Sequence, residues 1–219
     1  MRTSIHITLA LIISTFARPT AAQVVQLPSH EPLFVLQGGD TQNVNMHMSV
    51  ASQAFGVDFA VVGGVDGRAL AAGKQTALTD FYCYGSAVLS PATGTVVAAV
   101  DSLPDNSLGT HDTAHPLGNH VIVSDGERFI YIAHLQRGSV RVATGAAVLA
   151  GSVIGACGNS GNSDFPHIHV HATNSARFGE ATGLNLQYGP MSVELAGEHF
   201  ANVSWPLLRG LWVRATNPR

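Results

Sequence analysis

Three histidines alternate with apolar residues late in the chain, at His167, His169 and His171. On a β-strand, residues i, i+2 and i+4 point to one face of the sheet. Neighbouring imidazoles, roughly 6–7 Å apart, would then face one cleft. There, one imidazole could bind a metal ion while the next reaches a water molecule on that ion. A His-x-His pair by itself is only a moderate indication of this chemistry.

Two residues upstream could complete such a site. His134 ends an apolar run, and strand alternation predicts that it shares a face with Ile130 and Ile132. Asp58 lies in the middle of the apolar run 55–62, where a buried carboxylate needs a partner and a cation is the strongest one. Taken singly, His134 could be a surface residue and Asp58 could cap a turn. Together with the His-x-His pair they form a nitrogen and oxygen donor set that suits zinc.

Short β-strands must position these residues. The predicted strands, which lie between Gly-, Pro-, Asn- and Asp-rich turns, span 55–62, 87–89, 95–100, 120–124, 129–134, 140–143, 153–156 and 167–172. This spacing is that of an all-β sandwich or barrel. No stretch after residue 22 sustains a helical apolar period over three turns. We therefore predict an all-β fold.

The composition limits the function classes that need to be considered. Lys and Arg number 11 against 14 Asp and Glu, and the only lysine is Lys74, so a phosphate-binding surface and a nucleic-acid partner are excluded. The 46% hydrophobic content excludes intrinsic disorder. Histidine is as frequent as Lys and Arg together. Among the unassigned histidines, which include His111, we expect His115 in a solvated loop, whereas His120 could line the cleft or face solvent.

The chain divides into four predicted segments. Residues 1–22 combine a positive start, the apolar run 5–16 and small residues before Gln23, which is the pattern of a signal peptide. The run is too short to span a membrane, which takes about 20 apolar residues. We therefore expect export to the periplasm or the extracellular space, with no membrane span in the mature protein. The other segments are an N-terminal segment (23–52), a β domain (53–174) and a C-terminal extension packed on that domain (175–219).

The two cysteines of the chain are Cys83 and Cys157. In an oxidising compartment two such cysteines pair more often than they stay free. A bond between them would close a loop of about 70 residues and stabilise the fold by about 4 kcal/mol in the chain-entropy model. We predict this disulfide as a consequence of export.

In its motifs, the region from about 53 to 172 resembles the lysostaphin-type zinc metalloendopeptidases, which cleave peptide bridges in bacterial peptidoglycan. The matching stretches are GVDFAV (56–61), YGSAVLSPATGTVVAAVD (84–101), GNHVIVSDG (118–126), YIAHL (131–135), GSVIGACGNSGNS (151–163) and PHIHVH (166–171). The resemblance implies that Asp58 and His169 are zinc ligands and that His134 and His167 are catalytic. It also implies an antiparallel β-sheet core of short strands and Gly-rich turns, with the active-site groove on the sheet face.

The chain departs from this family at one ligand. The family usually has His-x-Gly-x-Asp, but the residue four positions before the aspartate is Ala54, which cannot bind zinc. The chain also resembles a branch of the family with an Asn-x-His element before a Gln-x4-Asp motif, here at Asn45, His47, Gln53 and Asp58. We predict that His47 is the third ligand and that asparagine amides of its loop bind its other ring nitrogen. Gln53 is a weaker alternative.

These features predict an exported zinc metalloendopeptidase that acts on peptide bonds in peptidoglycan cross-bridges or stem peptides. Two histidines and one aspartate leave Zn²⁺ a fourth position for water. Of His134 and His167, one would act on that water and the other would stabilise the oxyanion, and the sequence leaves the assignment open. Two alternatives stay open. One is a non-catalytic relative that binds the cell wall or regulates another hydrolase, for which Ala54 is the evidence. The other is a lipoyl- or biotinyl-like carrier, against which the position of Lys74 argues.

Overall fold

The computed structural model describes residues 24–178 and 180–216. The predicted signal peptide, residues 1–22, lies outside the described residues. Within the described ranges, no helix has the length and the apolar character needed to cross a membrane.

The described chain is built almost entirely from short β-strands, with two 3-10 helices at Met46–Ser49 and Leu78–Asp80 and no α-helix. The strands are β1 Leu33–Gln37, β2 Val57–Val61, β3 Ala87–Leu89, β4 Gly94–Val100, β5 Asn119–Ser124, β6 Phe129–Leu135, β7 Ala147–Val148, β8 Val153–Ala156, β9 Ile168–Thr173, β10 Gly183–Leu184, β11 Tyr188–Leu195, β12 Glu198–Trp205 and β13 Trp212–Ala215. The prediction of an all-β fold is confirmed.

Two antiparallel sheets share these strands. The large sheet has the order β12-β11-β13-β1-β2-β9-β6-β5-β4-β7, with β10 paired to the end of β9, and β3 pairs with β8 in a separate small sheet. Neighbouring strands in both sheets run antiparallel, as predicted for the core. The strands β2, β9 and β6 occupy the middle of the large sheet, and they carry the residues of the candidate site.

The two faces of the large sheet differ in chemistry because side chains alternate along each strand. On β9, Ile168 and Val170 enter the main hydrophobic core, which also includes residues of the small sheet such as Ile154. His169, between them, points to the opposite face. On β2, Phe59 likewise enters the core while Asp58 lies on the face that carries His169.

The strand prediction was wrong in one place and incomplete in others. Residues 140–143 form no strand: the Arg141 amide donates to the Ile154 carbonyl, but the Val140 amide bonds to the Asp101 side chain, so no continuous ladder forms. β1, β7 and β10–β13 were not predicted. β12 is an edge strand with mostly exposed residues, so its sequence, EHFANVSW, lacks apolar alternation.

Cys83 and Cys157 form a disulfide across a sequence separation of 74 residues, as predicted. Both cysteines are buried in the main core. The bond joins the segment before β3 to the loop that follows β8. That loop leads directly into the candidate site, because it contains Ser160, whose carbonyl contacts the His134 ring.

Candidate metal centre

Asp58 and His169 face each other on two neighbouring strands. They are register partners on β2 and β9, so their side chains leave the sheet on the same face. The Nδ1 atom of His169 lies 2.8 Å from Oδ1 of Asp58, and both residues are buried. The antiparallel ladder therefore positions a carboxylate and an imidazole side by side.

His47 reaches this pair from a loop. It belongs to the 3-10 helix Met46–Ser49, and its Nε2 atom lies 3.5 Å from Oδ2 of Asp58. The ring centroids of His47 and His169 are 4.6 Å apart. The structure thus brings together the three residues that the sequence nominated as ligands.

The His47 ring is oriented by Asn45, which is fully buried. Oδ1 of Asn45 accepts a hydrogen bond from the His47 backbone and lies 2.9 Å from His47 Nδ1, while its amide nitrogen donates to the carbonyls of Gly39 and Gly56. The expected amide support therefore comes from Asn45. Gly56 leaves room for the two imidazoles: a Cβ at this position would lie 2.9 Å from the His169 ring and 3.2 Å from the His47 ring.

His47, Asp58 and His169 have the composition and spacing of a possible metal site. One donor atom from each residue can be chosen so that all three lie within 4.8 Å of one another. Two imidazole nitrogens and one carboxylate oxygen are ligands that zinc uses in catalytic sites, with a further position open. Ala54 does not line this groove: its backbone packs closely against Gly183, whose Cβ would lie 2.3 Å from the Ala54 oxygen.

The charges of the site favour a cation. Burial lowers the pKa of His47 to about 4, although the Asp58 carboxylate opposes that change. Burial also lowers the pKa of His134 well below its ordinary value, and His167 adds to the effect. Burial by itself would raise the pKa of Asp58, but the imidazoles of His167 and His47 outweigh it and hold this pKa well below its usual range. At neutral pH the site therefore offers an ionised carboxylate and imidazole lone pairs, which is the state that binds metal.

His134 lies beside the three candidate ligands, which strand alternation did not predict. Ile130 and Ile132 enter the main core, so the expectation that His134 shares their face was wrong. The β5–β6 register shifts by one residue between Ile132 and Leu135, and His134 has a φ of 62°. This bulge and the left-handed backbone turn the His134 ring to the opposite face, where its centroid lies 5.7 Å from that of His169.

The imidazoles of His134 and His167 are held in the same way. Nδ1 of His134 lies 2.8 Å from the carbonyl oxygen of Ser160, and Nδ1 of His167 lies 2.8 Å from that of Phe165. Because a carbonyl only accepts, each Nδ1 carries a hydrogen, so in the neutral form of either ring the lone pair is on Nε2. Nε2 of His167 lies 3.6 Å from Oδ1 of Asp58. The ring centroids of His134 and His167 are 4.8 Å apart. Two basic nitrogens thus border the possible metal site.

A groove of about 360 Å³ opens over these residues on the sheet face. Its lining includes all five nominated site residues and contains neither Lys nor Arg. At its rim, Nε2 of His111 lies 2.9 Å from Oδ1 of Asp164. His115 is exposed and bonds Asp112, in agreement with a solvated loop, and His120 bonds the Gly118 carbonyl outside the groove lining.

Sequence reasoning missed the groups that orient the imidazoles. The carbonyls of Ser160 and Phe165 left no signal, because every residue type carries a carbonyl. His171 did leave one, the third position of the His-x-His-x-His alternation. Its Nδ1 lies 2.8 Å from Nε2 of His169, on the side away from Asp58.

Solved structures of several peptidases are similar to this chain. Lysostaphin from Staphylococcus simulans is 21% identical, with a TM-score of 0.38, over 58% of this chain and 40% of that chain. The catalytic domain of the prophage-encoded M23 protein EnpA from Enterococcus faecalis is 18% identical, with a TM-score of 0.39, over 74% of this chain and 87% of that chain. Pseudoalterin, an M23 metalloprotease from the deep sea, is 15% identical, with a TM-score of 0.47, over 86% of this chain and 100% of that chain. This chain therefore spans about 40% of the length of lysostaphin.

No curated protein matches the sequence. Residues 74–180 match the sequence model of Peptidase family M23. That segment contains β3 to β9, and with them His134, His167 and His169, while Asp58 and His47 lie upstream of it. The segment that carries these three histidines thus matches Peptidase family M23, which agrees with the resemblance seen in the sequence motifs.

Proposed function

We propose that this chain is an exported zinc metalloendopeptidase that hydrolyses peptide bonds in peptidoglycan cross-bridges or stem peptides. The observation that carries the proposal is the convergence of His47, Asp58 and His169 beside the imidazoles of His134 and His167 in one groove. The match of residues 74–180 to Peptidase family M23 supports peptide hydrolysis. Imidazole nitrogens supply two of the three donors, which favours zinc over magnesium or calcium.

A zinc ion on these ligands would supply Lewis acidity and a bound water acidic enough to react near neutral pH. The basic Nε2 of one histidine, His134 or His167, accepts the proton of the attacking water and later donates it to the leaving amine. The other imidazole, which takes a proton from solvent on Nε2, donates a hydrogen bond from that nitrogen to the oxyanion. Their Nδ1–carbonyl bonds keep both rings turned toward the groove throughout.

The non-catalytic alternative depended on Ala54. With Asp58 and His169 alone, a metal ion would have two protein ligands, one fewer than catalytic zinc sites normally have. His47 lies 3.5 Å from Asp58 and is held by a buried asparagine, so the absence of a histidine at position 54 does not by itself leave the site incomplete.

The test uses the protein that begins at Gln23, purified peptidoglycan, and synthetic cross-bridge and stem peptides. We expect new amino termini in the products, their loss with a chelator, and their return when Zn²⁺ is added back. His134→Ala serves as the control that keeps all three ligands. A zinc-loaded protein that binds peptidoglycan but releases no amine from any of these substrates would contradict the proposal and favour the non-catalytic alternative.

Export is the second part of the proposal, and it is supported by the pattern of residues 1–22 and by the disulfide. Sequencing the amino terminus of the protein recovered from the periplasm or medium should give Gln23 or a residue close to it. Recovery of intact chain beginning at Met1 in the exported fraction would contradict cleavage.

A further inference from the structure

His171 lies behind the candidate ligand His169 and has no part in the chemistry described so far. It is fully buried on β9, two residues after His169. Its Nδ1 lies 2.8 Å from Nε2 of His169, while its own Nε2 is buried without a hydrogen-bond partner among the described residues. A buried polar group left unpaired destabilises the folded state. Such a group in a folded protein requires an explanation.

Aromatic rings, and not further hydrogen bonds, fix the orientation of the His171 ring. Tyr131 stacks on it with a centroid separation of 4.4 Å and an angle of 14°, and Phe178 lies 6.2 Å away. Tyr131 is itself fully buried and bonds the Ser175 carbonyl through its hydroxyl. The plane of His171 is therefore set, and the remaining freedom is which ring nitrogen carries the hydrogen.

The two nitrogens of His169 face different partners. Nδ1 lies 2.8 Å from Asp58, on the side of the possible metal site, and Nε2 lies against His171. A metal ion binds an imidazole nitrogen through its lone pair, so the hydrogen of a metal-bound His169 is on Nε2. That hydrogen needs an acceptor, and Nδ1 of His171 is the atom within reach.

We propose that His171 is a positioning residue for the metal centre. Its Nδ1 accepts the hydrogen of His169 Nε2, which fixes both the tautomer and the ring orientation that present His169 Nδ1 to the metal. The hydrogen of His171 then occupies its Nε2, the buried atom that has no hydrogen-bond partner among the described residues. The inference rests on the proposed function only in requiring that the centre binds a metal ion.

Two variants separate positioning from packing. His171→Phe keeps a ring against Tyr131 but removes the acceptor, whereas His171→Asn keeps a polar atom close to the place of Nδ1. His120→Phe, on β5, which is separated from β9 by β6, and outside the groove, is the matched control. The readouts are the Zn²⁺ dissociation constant, from competition with a chromogenic chelator, and the melting temperature of the metal-free protein.

We expect His171→Phe to raise the zinc dissociation constant about 10- to 100-fold. The melting temperature of the metal-free variant should not fall, because an unpaired buried nitrogen is removed. His171→Asn should recover most of the affinity, and His120→Phe should not change it. An unchanged zinc affinity in His171→Phe would overturn the inference. So would a loss of affinity that follows a loss of metal-free stability and is not recovered by His171→Asn.

A measurement on the unmutated protein covers the case in which His171→Phe does not fold. Long-range ¹H–¹⁵N spectra of the zinc-loaded protein should show both His169 and His171 with the hydrogen on Nε2. A hydrogen on Nδ1 of His171 would overturn the inference. If the unmutated protein binds no zinc at all, the proposed function is wrong. That outcome can be told apart from an unchanged zinc affinity in His171→Phe and from a hydrogen on Nδ1 of His171.

Discussion

The candidate metal centre has two sides that are built by different means. On the strand side, Asp58 and His169 are buried register partners in the middle of the large sheet. On the loop side, His47 lies in a four-residue 3-10 helix whose surroundings are exposed, with Met46 68% and Val50 44% accessible.

The contrast teaches where each ligand gets its position. The strand side is positioned by the backbone ladder, which is part of the fold itself. The loop side is positioned by one buried side chain, Asn45, and, in our account, by the metal ion that His47 binds. We therefore expect the strand side to persist without metal and the loop side to depend on it.

Metal removal should have the largest effect and should separate the two sides. A chelator should abolish peptide hydrolysis, and Zn²⁺ should restore it. Amide hydrogen exchange should then accelerate in residues 45–50 far more than in β2 and β9, because few buried contacts hold the loop. Equal acceleration on both sides would show that the strand pair also depends on the metal.

The two histidines outside the ligand set should matter for rate and not for metal. His134→Ala and His167→Ala should each lower kcat by about 10²- to 10⁴-fold, the usual contribution of a general acid or base. Zinc content, measured on the same samples, should stay near that of the unmutated protein. A variant that loses its zinc identifies that histidine as a ligand.

A substitution of Asn45 tests whether this residue holds the His47 loop in place. Asn45→Ala removes the partner of His47 Nδ1 and leaves the Gly39 and Gly56 carbonyls without its amide, which should cost about 1–3 kcal/mol of unfolding free energy. We expect zinc affinity to fall by about 10-fold or more, as for other groups that orient a ligand. The exposed Asn43 provides the control, Asn43→Ala. If the two variants behave alike, the anchor is not Asn45.

Acidification should destabilise the metal-free protein gradually. The folded-state pKa of His47, about 4, lies below the ordinary value of 6.5, so the unfolded state binds more protons between these pH values. The free energy of unfolding is therefore not reduced by His47 above pH 6.5. Below that pH, His47 lowers it by about 1.4 kcal/mol per pH unit as the pH drops toward 4. Denaturant unfolding of the metal-free protein at several pH values measures this. His47→Ala should show a shallower decline, and an identical decline would contradict the assignment.

The strand side could be predicted from sequence because its signals are local. Asp58 interrupts an apolar run and His169 alternates with apolar residues, so period-two patterning places both on the sheet face opposite the core. The disulfide between Cys83 and Cys157 was likewise predictable from cysteine count and expected export. What alternation cannot show is a bulge, and for that reason the predicted face of His134 was wrong.

The outer half of the large sheet was not predictable for a different reason. β11–β13 add to the sheet beyond β1, and β12 at the edge exposes residues on both faces, so no apolar alternation marks it. The position of His47 also depends on long-range geometry, because the turn at 51–55 must return the chain to β2. The sequence nominated His47 by its chemistry, and only the fold gives its distance from Asp58.

The measurement that tests the central claim most directly is the zinc content of the purified, folded protein compared with that of His47→Ala. Elemental analysis should give one zinc per chain for the unmutated protein and for the exposed control His115→Ala, and almost none for His47→Ala and Asp58→Ala. Full zinc occupancy in a folded His47→Ala would contradict the claim that His47 completes the site.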